Sequence, residues 1–283
     1  MTAMLKDKPA LFTLNKVQAF AGETRVKARE VSKANFIETI DADGTSRFIK
    51  NLVSDHYEIH QPSEILESFQ KVADNTQLTI NGYMVNPVNG SLMIESTYDN
   101  VKFAGEEHDV NVVFYTSHDG KRPTLLTLQS LRHACWNQVP LLFGKDNKSR
   151  HMMTEKHYRN ALNLTVMEKL LAGVPASIQA YNDTADLLMN KKMSFDKFVE
   201  FYVKSYKLDT STTRGENRVE ALQDIYHTAE GQSIIPDNTA WKAFNVISYL
   251  NTHNVSNTSF QAENRAFTRA NDTIKRMQEL VAA

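Results

Sequence analysis

A change of hydrophobic period along the chain most constrains what it can fold into. Between residues 77 and 130, apolar and polar residues alternate with period two, which is typical of half-buried strands. Three dipeptides that favour tight turns interrupt this alternation, Asn81-Gly82, Asn89-Gly90 and Asp119-Gly120. Because no helical segment separates the strands, a parallel doubly wound sheet is excluded and an antiparallel meander is predicted.

Short extended segments and one helix precede this meander. The segments Arg47–Val53 and Tyr57–His60 are expected to be extended. Apolar residues then repeat at helical spacing after Pro62, and proline is favoured at the first position of a helix. The sequence therefore predicts a helix over residues 62–74.

From residue 150 to the end of the chain the apolar spacing is helical. A long amphipathic run begins near Met153 and ends at Gly173 and Pro175, which favour helix termination. Ser194 is expected to cap a helix over Phe195–Tyr206. Further helices are expected over about 216–229, 239–252 and 260–281.

These patterns predict an α+β fold, with an N-terminal antiparallel β-meander that carries one packed helix and a C-terminal all-helical half. Pro140 and the segment Gly144-Lys145-Asp146-Asn147 indicate a loop where the two halves join. We therefore expect an antiparallel α+β domain over residues 1–145 and a helical domain over residues 146–283.

Composition narrows the class of protein. Hydrophobic residues make up 41% of the 283-residue chain, enough for a sizeable core. The single cysteine, Cys135, excludes an intrachain disulfide and a multi-cysteine zinc site. The first eight residues lack the apolar stretch of a signal peptide, and no window approaches the roughly 20 apolar residues of a membrane span. A soluble, cytoplasmic protein is expected.

Charge is distributed unevenly along a chain whose net charge is −1. Residues 51–119 carry two basic and eleven acidic side chains, whereas residues 120–160 carry eight basic and two acidic ones. We call residues 120–160 the basic block. It indicates an anion site, and nucleic-acid phosphate is the commonest large polyanion. The alternative is that the acidic side chains upstream neutralise the block.

The block and its surroundings supply the candidate nucleic-acid contacts. Phosphate contacts are expected from the block's cations and from two secondary candidates near the N-terminus, which together are Lys121, Arg122, Arg132, Lys145, Lys148, Arg150, Lys156, Arg159, Arg25 and Lys27. His133 and Trp136 are candidate stacking groups. Alternation on a strand would place Arg132, Ala134 and Trp136 on one face, although a tryptophan in a sheet is often simply core.

No motif in the chain indicates catalysis. The glycine-rich phosphate loops and the HExxH zinc motif are absent from the sequence. Cys135 is interpreted as a buried thiol in the sheet rather than as a nucleophile or a zinc ligand. Ser117-His118-Asp119-Gly120 contains the residue types of a hydrolytic triad, but adjacent residues do not converge on one another, so a turn with positive φ at Gly120 is predicted. We therefore expect no enzyme activity, no cofactor and no metal site.

The order of several short motifs resembles a known family. They are Ser117-His118-Asp119-Gly120, Arg132-x-x-Cys135-x-Asn137, Arg150-His151, Trp241-x-x-x-Asn245, His253 and Arg265-x-x-x-Arg269. In this order they resemble the phage/plasmid-like proteins, a family of mobile elements catalogued as a domain of unknown function. A more distant, fold-level similarity is to the single-strand annealing recombinases of the RecT and Red-beta type. The resemblance implies a meander packed on a helix, a basic groove for DNA and assembly as a ring or filament.

Three functions follow from these observations. The first is single-stranded DNA binding and strand annealing in recombination or replication, by a homo-oligomer that needs cations and exposed bases rather than an acid or base catalyst. The second is an accessory protein that binds a host or phage protein, such as a replication or recombination protein, through its acidic face or helical half. The third is an enzyme that uses Cys135 or the turn at Ser117–Gly120. The annealing function is the leading prediction.

Overall fold

A computed structural model describes most of the chain. The described residues are 9–18, 34–120, 123–135, 137–141, 152–155, 157, 164–253 and 261–282. The chain divides into two compact units, each of which is built from several segments. Unit 1 comprises residues 1–98, 111–128 and 142–175, and unit 2 comprises residues 99–110, 129–141 and 176–283. The expected domain boundary at residues 145 and 146 lies outside the described residues.

A three-stranded antiparallel sheet lies near the N-terminus, in unit 1. Its strands are β1 (Thr13–Gln18), β2 (Ala34–Ile40) and β3 (Ser46–Ser54), with β2 in the centre. One face joins a hydrophobic cluster that consists of Phe12, Leu14, Ile37, Ile49, Val53 and Tyr57. The extended segment expected at Arg47–Val53 is therefore confirmed, whereas Tyr57–His60 forms no strand.

The predicted meander forms a second sheet. Its strands are β4 (Thr79–Asn86), β5 (Ser91–Phe103), β6 (Glu106–Thr116), β7 (Thr124–Arg132), β8 (Gln138–Pro140) and β9 (Met152–Glu155). The order is β4-β5-β6-β7-β8, and β9 pairs antiparallel with β7. Buried and half-buried residues alternate along β7, as the period-two sequence pattern predicts.

The first predicted hairpin is wrong and the second is confirmed. Asn81-Gly82 lies inside β4, where the pairing with β5 shifts register between Ile80 and Gly82, as in a β-bulge. Asn89-Gly90 does join β4 to β5, and Gly90 has a φ of +62°. A Cβ atom at Gly90 would lie 2.9 Å from Cδ1 of Ile49, so this turn needs glycine for space as well as for φ.

Two further turns complete the meander. Gly120, in the connection between β6 and β7, has a φ of +72°, which confirms the turn expected there. Ala104 and Gly105 join β5 to β6 with φ values of +49° and +82°, the conformation of a type I′ hairpin. This last hairpin is not predicted by the sequence pattern.

The described helices follow the expected α+β arrangement, with strands mostly N-terminal and helices mostly C-terminal. They are α1 (Pro62–Ala73), α2 (Leu164–Ala172), α3 (Val174–Asn190), α4 (Phe195–Tyr206), α5 (Thr213–Thr228), α6 (Ala240–His253) and α7 (Gln261–Ala282). α1 and α4 to α7 match the predicted helices within a few residues. The hydroxyl of Ser194 accepts a hydrogen bond from the backbone N–H of Lys197, which confirms the predicted cap of α4.

The prediction for residues 150–190 is wrong in two places. Met152–Glu155 is the strand β9 and not the start of a helix. The helical run does break at Gly173, but Pro175 occupies the second position of α3 instead of ending the helical segment. Proline is tolerated there because the first N–H groups of a helix have no partner within the helix.

α6 is the central helix of unit 2. All residues from Ala240 to Ser248 are buried, so this helix is covered on every side over more than two turns. It packs against α5, α7 and β8. Among the described residues, no helix is long and apolar enough to cross a membrane.

Candidate functional site

Two of the twelve predicted nucleic-acid contacts, Arg132 and His133, fall among the described residues. The other ten lie outside them and are Lys121, Arg122, Trp136, Lys145, Lys148, Arg150, Lys156, Arg159, Arg25 and Lys27. By residue number, all of these except Trp136 fall in the segments of unit 1. Arg132 and His133 belong to unit 2.

Arg132 does not face solvent, so the prediction that it contacts phosphate is wrong. Its side chain is fully buried at the end of β7. The guanidinium binds both carboxylate oxygens of Glu106, with an Nε–Oε2 distance of 3.1 Å, and donates to the carbonyl oxygen of Gly231 at 2.8 Å. Nη1 also lies 3.1 Å from Sγ of Cys135. All three nitrogens of the guanidinium therefore donate hydrogen bonds within the core.

His133 is accessible, but its neighbours are acidic. Its side chain is 41% exposed, and Nε2 lies 2.9 Å from Oδ2 of Asp109. Nδ1 lies 4.0 Å from a carboxylate oxygen of Glu107. Residues 133–135 form a turn after β7, so the expected strand alternation through Arg132, Ala134 and Trp136 is wrong over the described part of that segment. The stacking role of His133 stays a prediction.

Several motif residues meet around Arg132 in unit 2. Nε1 of Trp241 donates to Oε2 of Glu106 at 3.1 Å. Nδ2 of Asn137 donates to the carbonyl oxygen of Asn245 at 3.2 Å, and Nε2 of His253 lies 3.0 Å from the carbonyl oxygen of Cys135. We call this set the Arg132 network, and its members are Glu106, Arg132, Cys135, Asn137, Trp241, Asn245 and His253. It joins the turn after β7 to α6.

The Arg132 network is buried and closely packed around Cys135. Cys135 is 2% exposed, and burial raises the pKa of its thiol, so the nucleophilic thiolate is disfavoured. Its interpretation as a buried thiol is confirmed, although it lies in a turn and not in a strand. A Cβ atom at Gly231, whose φ is +73°, would lie 2.8 Å from the carbonyl oxygen of Ala134 and from Cβ of Cys135. The close approach therefore requires glycine.

A second buried polar group, in unit 1, consists of His60, His118, His157 and Tyr57. The ring of Tyr57 stacks on His157 with centroids 5.1 Å apart, and the rings of His118 and His157 lie 4.6 Å apart. We call these four residues the histidine cluster. The histidine cluster is not predicted by any sequence motif, because its members come from segments that lie far apart in the chain.

Hydrogen bonds show which ring nitrogen of His118 carries the proton. Nε2 of His118 accepts from the backbone N–H of His60 at 3.2 Å, so Nδ1 carries the proton that is donated to the carbonyl oxygen of Gly90. Burial lowers the pKa of His118 to about 3 and that of His157 to about 4. Both imidazoles are therefore neutral at physiological pH and do not attract phosphate.

Ser117, His118 and Asp119 do not have the geometry of a hydrolytic triad. The hydroxyl of Ser117 donates to Oδ1 of Asp119 at 3.1 Å, while His118 faces Gly90, so the three adjacent residues form a turn and not a triad. Within the described ranges, no group of three or more histidine, cysteine, aspartate or glutamate side chains is arranged to hold a metal ion.

An exposed apolar patch lies on the β2–β3 sheet of unit 1. Phe48 and Leu52 are each 55% exposed, on the side of β3 opposite to its buried residues. Phe36 lies directly opposite Leu52 in the register, and its ring meets that of Phe48 edge to face at 6.1 Å. We call Phe36, Phe48 and Leu52 the apolar patch. Large exposed aromatic side chains on a sheet are typical of binding surfaces.

Charged groups of both signs border the apolar patch. Arg47 follows Ser46 at the start of β3, has a side chain 43% exposed and pairs with Asp41. Glu38 lies opposite Phe48, and its carboxylate accepts hydrogen bonds from Ser46 and Asn15. The patch therefore combines apolar rings with hydrogen-bonding groups at its border.

Comparison with known proteins identifies the family. Residues 50–281 match the model of a family described as a domain of unknown function, DUF932. The chain therefore belongs to this family, which confirms the expected resemblance to an uncharacterised domain family. Its phage or plasmid origin and its similarity to annealing recombinases stay predictions. No curated protein and no solved structure matches the chain significantly.

Proposed function

We propose that this DUF932 protein binds single-stranded DNA and anneals complementary strands, as a homo-oligomer encoded by a phage or other mobile element and working in the host cytoplasm. The observation that carries the proposal is the basic block, with eight basic and two acidic side chains in residues 120–160. Clustered cations bind DNA by releasing counterions from its phosphates. With Arg132 assigned to the core, seven cations of the block remain as candidates.

Lys121 and Arg122 are the first of these candidates to test. They follow Gly120 and precede Pro123, and both of these flanking residues are exposed. They belong by number to unit 1, as do the apolar patch and the cations from Lys145 to Arg159. Unit 1 is therefore the part of the chain to which we assign strand binding.

The apolar patch supports a preference for single strands. Bases that are not paired expose their planar faces, and aromatic side chains on an open sheet stack with them. Phe48 and Phe36 offer such rings, whereas a duplex presents its phosphates and not its base faces. We assign the bases of the bound strand to this patch.

Strand annealing is also consistent with the burial of the thiol and imidazole groups. The reaction needs no acid, base or nucleophile, only phosphate contacts and bases left accessible for pairing. The Cys135 thiol and the imidazoles of His118 and His157 are buried and uncharged, so they serve the fold. The proposal gives them no part in the reaction.

Salt dependence of DNA binding tests the phosphate contacts. We expect the affinity for a fluorescent single-stranded oligonucleotide to fall with salt by about 0.7 log units per log unit for each phosphate neutralised. The double variant K121Q/R122Q should flatten that slope by about 1.4. The matched control is K197Q/K204Q, which removes two exposed cations from α4 and should leave the slope unchanged. Equal slopes for the wild type and K121Q/R122Q would contradict the assignment.

A second measurement tests the apolar patch. Phe48→Ala removes an exposed ring, so folding should be little affected while binding weakens by about 1–3 kcal/mol, the typical contribution of one stacked base. The control is Ile234→Ala, which removes an apolar side chain that is 65% exposed in unit 2. Unchanged affinity in Phe48→Ala would remove the patch from the binding surface.

A further inference from the structure

A cavity of about 600 Å³ lies among α4, α5 and α6 in unit 2. This volume is within the range of small-molecule sites. The residues that line it have no part in the strand-binding surface described above. Its walls combine two tyrosines, two arginines and two asparagines with the apolar side chains of Ala221 and Leu250.

The cationic wall comes from one face of α5. Arg214, Asn217 and Arg218 are spaced by three and four positions, so they project from the same side of the helix. Both arginines are exposed, and neither forms a hydrogen bond or ion pair with a side chain that the structure describes. A guanidinium binds a phosphate through two parallel hydrogen bonds.

The aromatic wall comes from α4 and is held in place by α7. Tyr202 and Tyr206 are one helical turn apart, with ring centroids separated by 4.5 Å. The hydroxyl of Tyr206 donates to Oδ2 of Asp272 at 2.5 Å, and the guanidinium of Arg276 lies 4.5 Å above its ring. These contacts fix the ring in one orientation.

Asp272 is the acidic group at this wall, and it is compensated. Arg276 lies 3.1 Å from Oδ1 of Asp272, and Nδ2 of Asn251 donates to Oδ2 at 3.3 Å. Because this carboxylate is already paired, the arginines of α5 determine the charge offered to a ligand. An anion is therefore favoured at the α5 side, and a flat apolar group is favoured against the tyrosines.

We propose that this cavity binds a nucleoside phosphate, with the phosphate on Arg214 and Arg218 and the base against Tyr202 and Tyr206. The amide of Asn217 and the amide oxygen of Asn251, whose Nδ2 already donates to Asp272, hydrogen-bond the base or the sugar. The same chemistry is present in a free nucleotide and in the 5′-phosphorylated end of a DNA strand. None of its lining residues belongs to the basic block or to the apolar patch, so the proposal does not depend on the proposed annealing function.

Calorimetric titration of the full chain with deoxyadenosine monophosphate tests the site. We expect saturable binding that is at least about tenfold tighter than that of deoxyadenosine or inorganic phosphate, because each alone reaches one wall of the cavity. The variant R214Q/R218Q should weaken nucleotide binding by about tenfold or more without changing the melting temperature, since both side chains are exposed. K197Q/K204Q is the matched control for the lost charge.

Oligonucleotides distinguish the two sources of the ligand. If the site receives strand ends, a 5′-phosphate should tighten oligonucleotide binding in the wild type and not in R214Q/R218Q; if it receives free nucleotides, the 5′-phosphate should have no effect. Either result supports the site. Failure of the wild type to saturate with deoxyadenosine monophosphate, or unchanged binding in R214Q/R218Q, would overturn it. K121Q/R122Q should bind the nucleotide normally, so this failure is distinct from failure of strand annealing.

Discussion

Arg132 is a buried cation whose partners make its burial tolerable. Removing a guanidinium from water is costly unless an anion and further hydrogen bonds replace the solvent. The carboxylate of Glu106 supplies the negative charge, and the carbonyl oxygen of Gly231 accepts a further hydrogen bond from the guanidinium. Trp241 in turn donates to Glu106, so the carboxylate is also held from α6. The Arg132 network thereby ties three segments of unit 2 together.

Substitution of Glu106 tests this role. Glu106→Ala leaves the buried guanidinium without its counter-charge, and we expect the free energy of unfolding to fall by about 3–5 kcal/mol. Glu107→Ala is the matched control, since that neighbouring side chain is 63% exposed and should contribute about 0.5 kcal/mol or less. Urea denaturation followed by circular dichroism measures both. A small, equal loss in the two variants would show that the Arg132 pair contributes little.

The histidine cluster gives unit 1 a stability that depends on pH. Burial lowers the pKa of His118 to about 3 and that of His157 to about 4, whereas in the unfolded chain both titrate near about 6.5. Below that pH the unfolded state binds more protons than the folded state, so the folded state loses stability as pH falls. The full contribution is present above pH 6.5 and is lost as pH falls toward these folded-state pKa values.

We expect each histidine to lower the free energy of unfolding by about 1.4 kcal/mol per pH unit well below pH 6.5. Urea titrations at about pH 7.5, 6 and 5 measure this slope. The variant His118→Gln/His157→Gln should be less stable at neutral pH, because it loses buried hydrogen bonds, but its stability should fall less steeply with pH. A slope identical to that of the wild type would mean that these imidazoles do not titrate as described.

At the scale of the element, short sequence motifs predict a turn or a helix end correctly where residues close in the chain determine it. Gly90 needs positive φ and has no space for a Cβ atom, and α1 and α4 begin where Pro62 and Ser194 indicate. Asn81-Gly82 fails as a hairpin signal because β4 continues through it to pair with the long strand β5. In that segment strand pairing outweighs turn preference, and the dipeptide is accommodated as a bulge.

The missed elements lacked a decisive local signal. β9 is four residues long and exists through its pairing with β7, so the helical spacing around it was misleading. α3 begins directly after Gly173, and the proline in its first turn resembles a terminator. Proline marks the start of a helix as readily as the region beyond its end, and the sequence pattern does not distinguish the two.

The Ser194 cap provides a prediction at this scale. Ser194→Ala removes the hydroxyl that accepts from the N–H of Lys197, and we expect a loss of about 1 kcal/mol in the free energy of unfolding. Ser194→Asp keeps an oxygen acceptor at the cap and should remain close to the wild type. Thermal and urea unfolding report the difference. Equal losses in the two variants would show that the cap bond does not stabilise α4.

At the scale of the whole molecule, the distribution of charge along the sequence predicts a cationic binding surface formed by the basic block. That prediction is wrong for one residue, Arg132. Arg132 counted as a cation of the basic block, but its partners are Glu106, Gly231 and Cys135, which come from separate segments. Such a network has no local signature, because its contacts join residues up to 135 positions apart in the chain. Trp241 and Asn245 do lie in the helix that the sequence predicts over about 239–252, and α6 confirms that helix.

A count of charges along the sequence predicts where cations are concentrated in the chain. The excess of cations lies in the basic block, but the charge count does not show which of these side chains are buried in the core. The apolar patch was likewise not predicted, because the sequence does not show that the side chain of Phe48 is exposed in the folded chain. The histidine cluster and the cavity beside α5 depend on segments that meet only in three dimensions.

The rate of strand annealing tests the proposed function most directly. Two complementary oligonucleotides, one with a fluorophore and one with a quencher, are mixed at about 0.1 M salt with and without the protein. We expect the wild type to accelerate pairing, K121Q/R122Q to lose about tenfold or more of that acceleration, and K197Q/K204Q to retain it. If the wild type binds neither strand, or binds both and leaves the pairing rate unchanged, the proposed annealing function is contradicted.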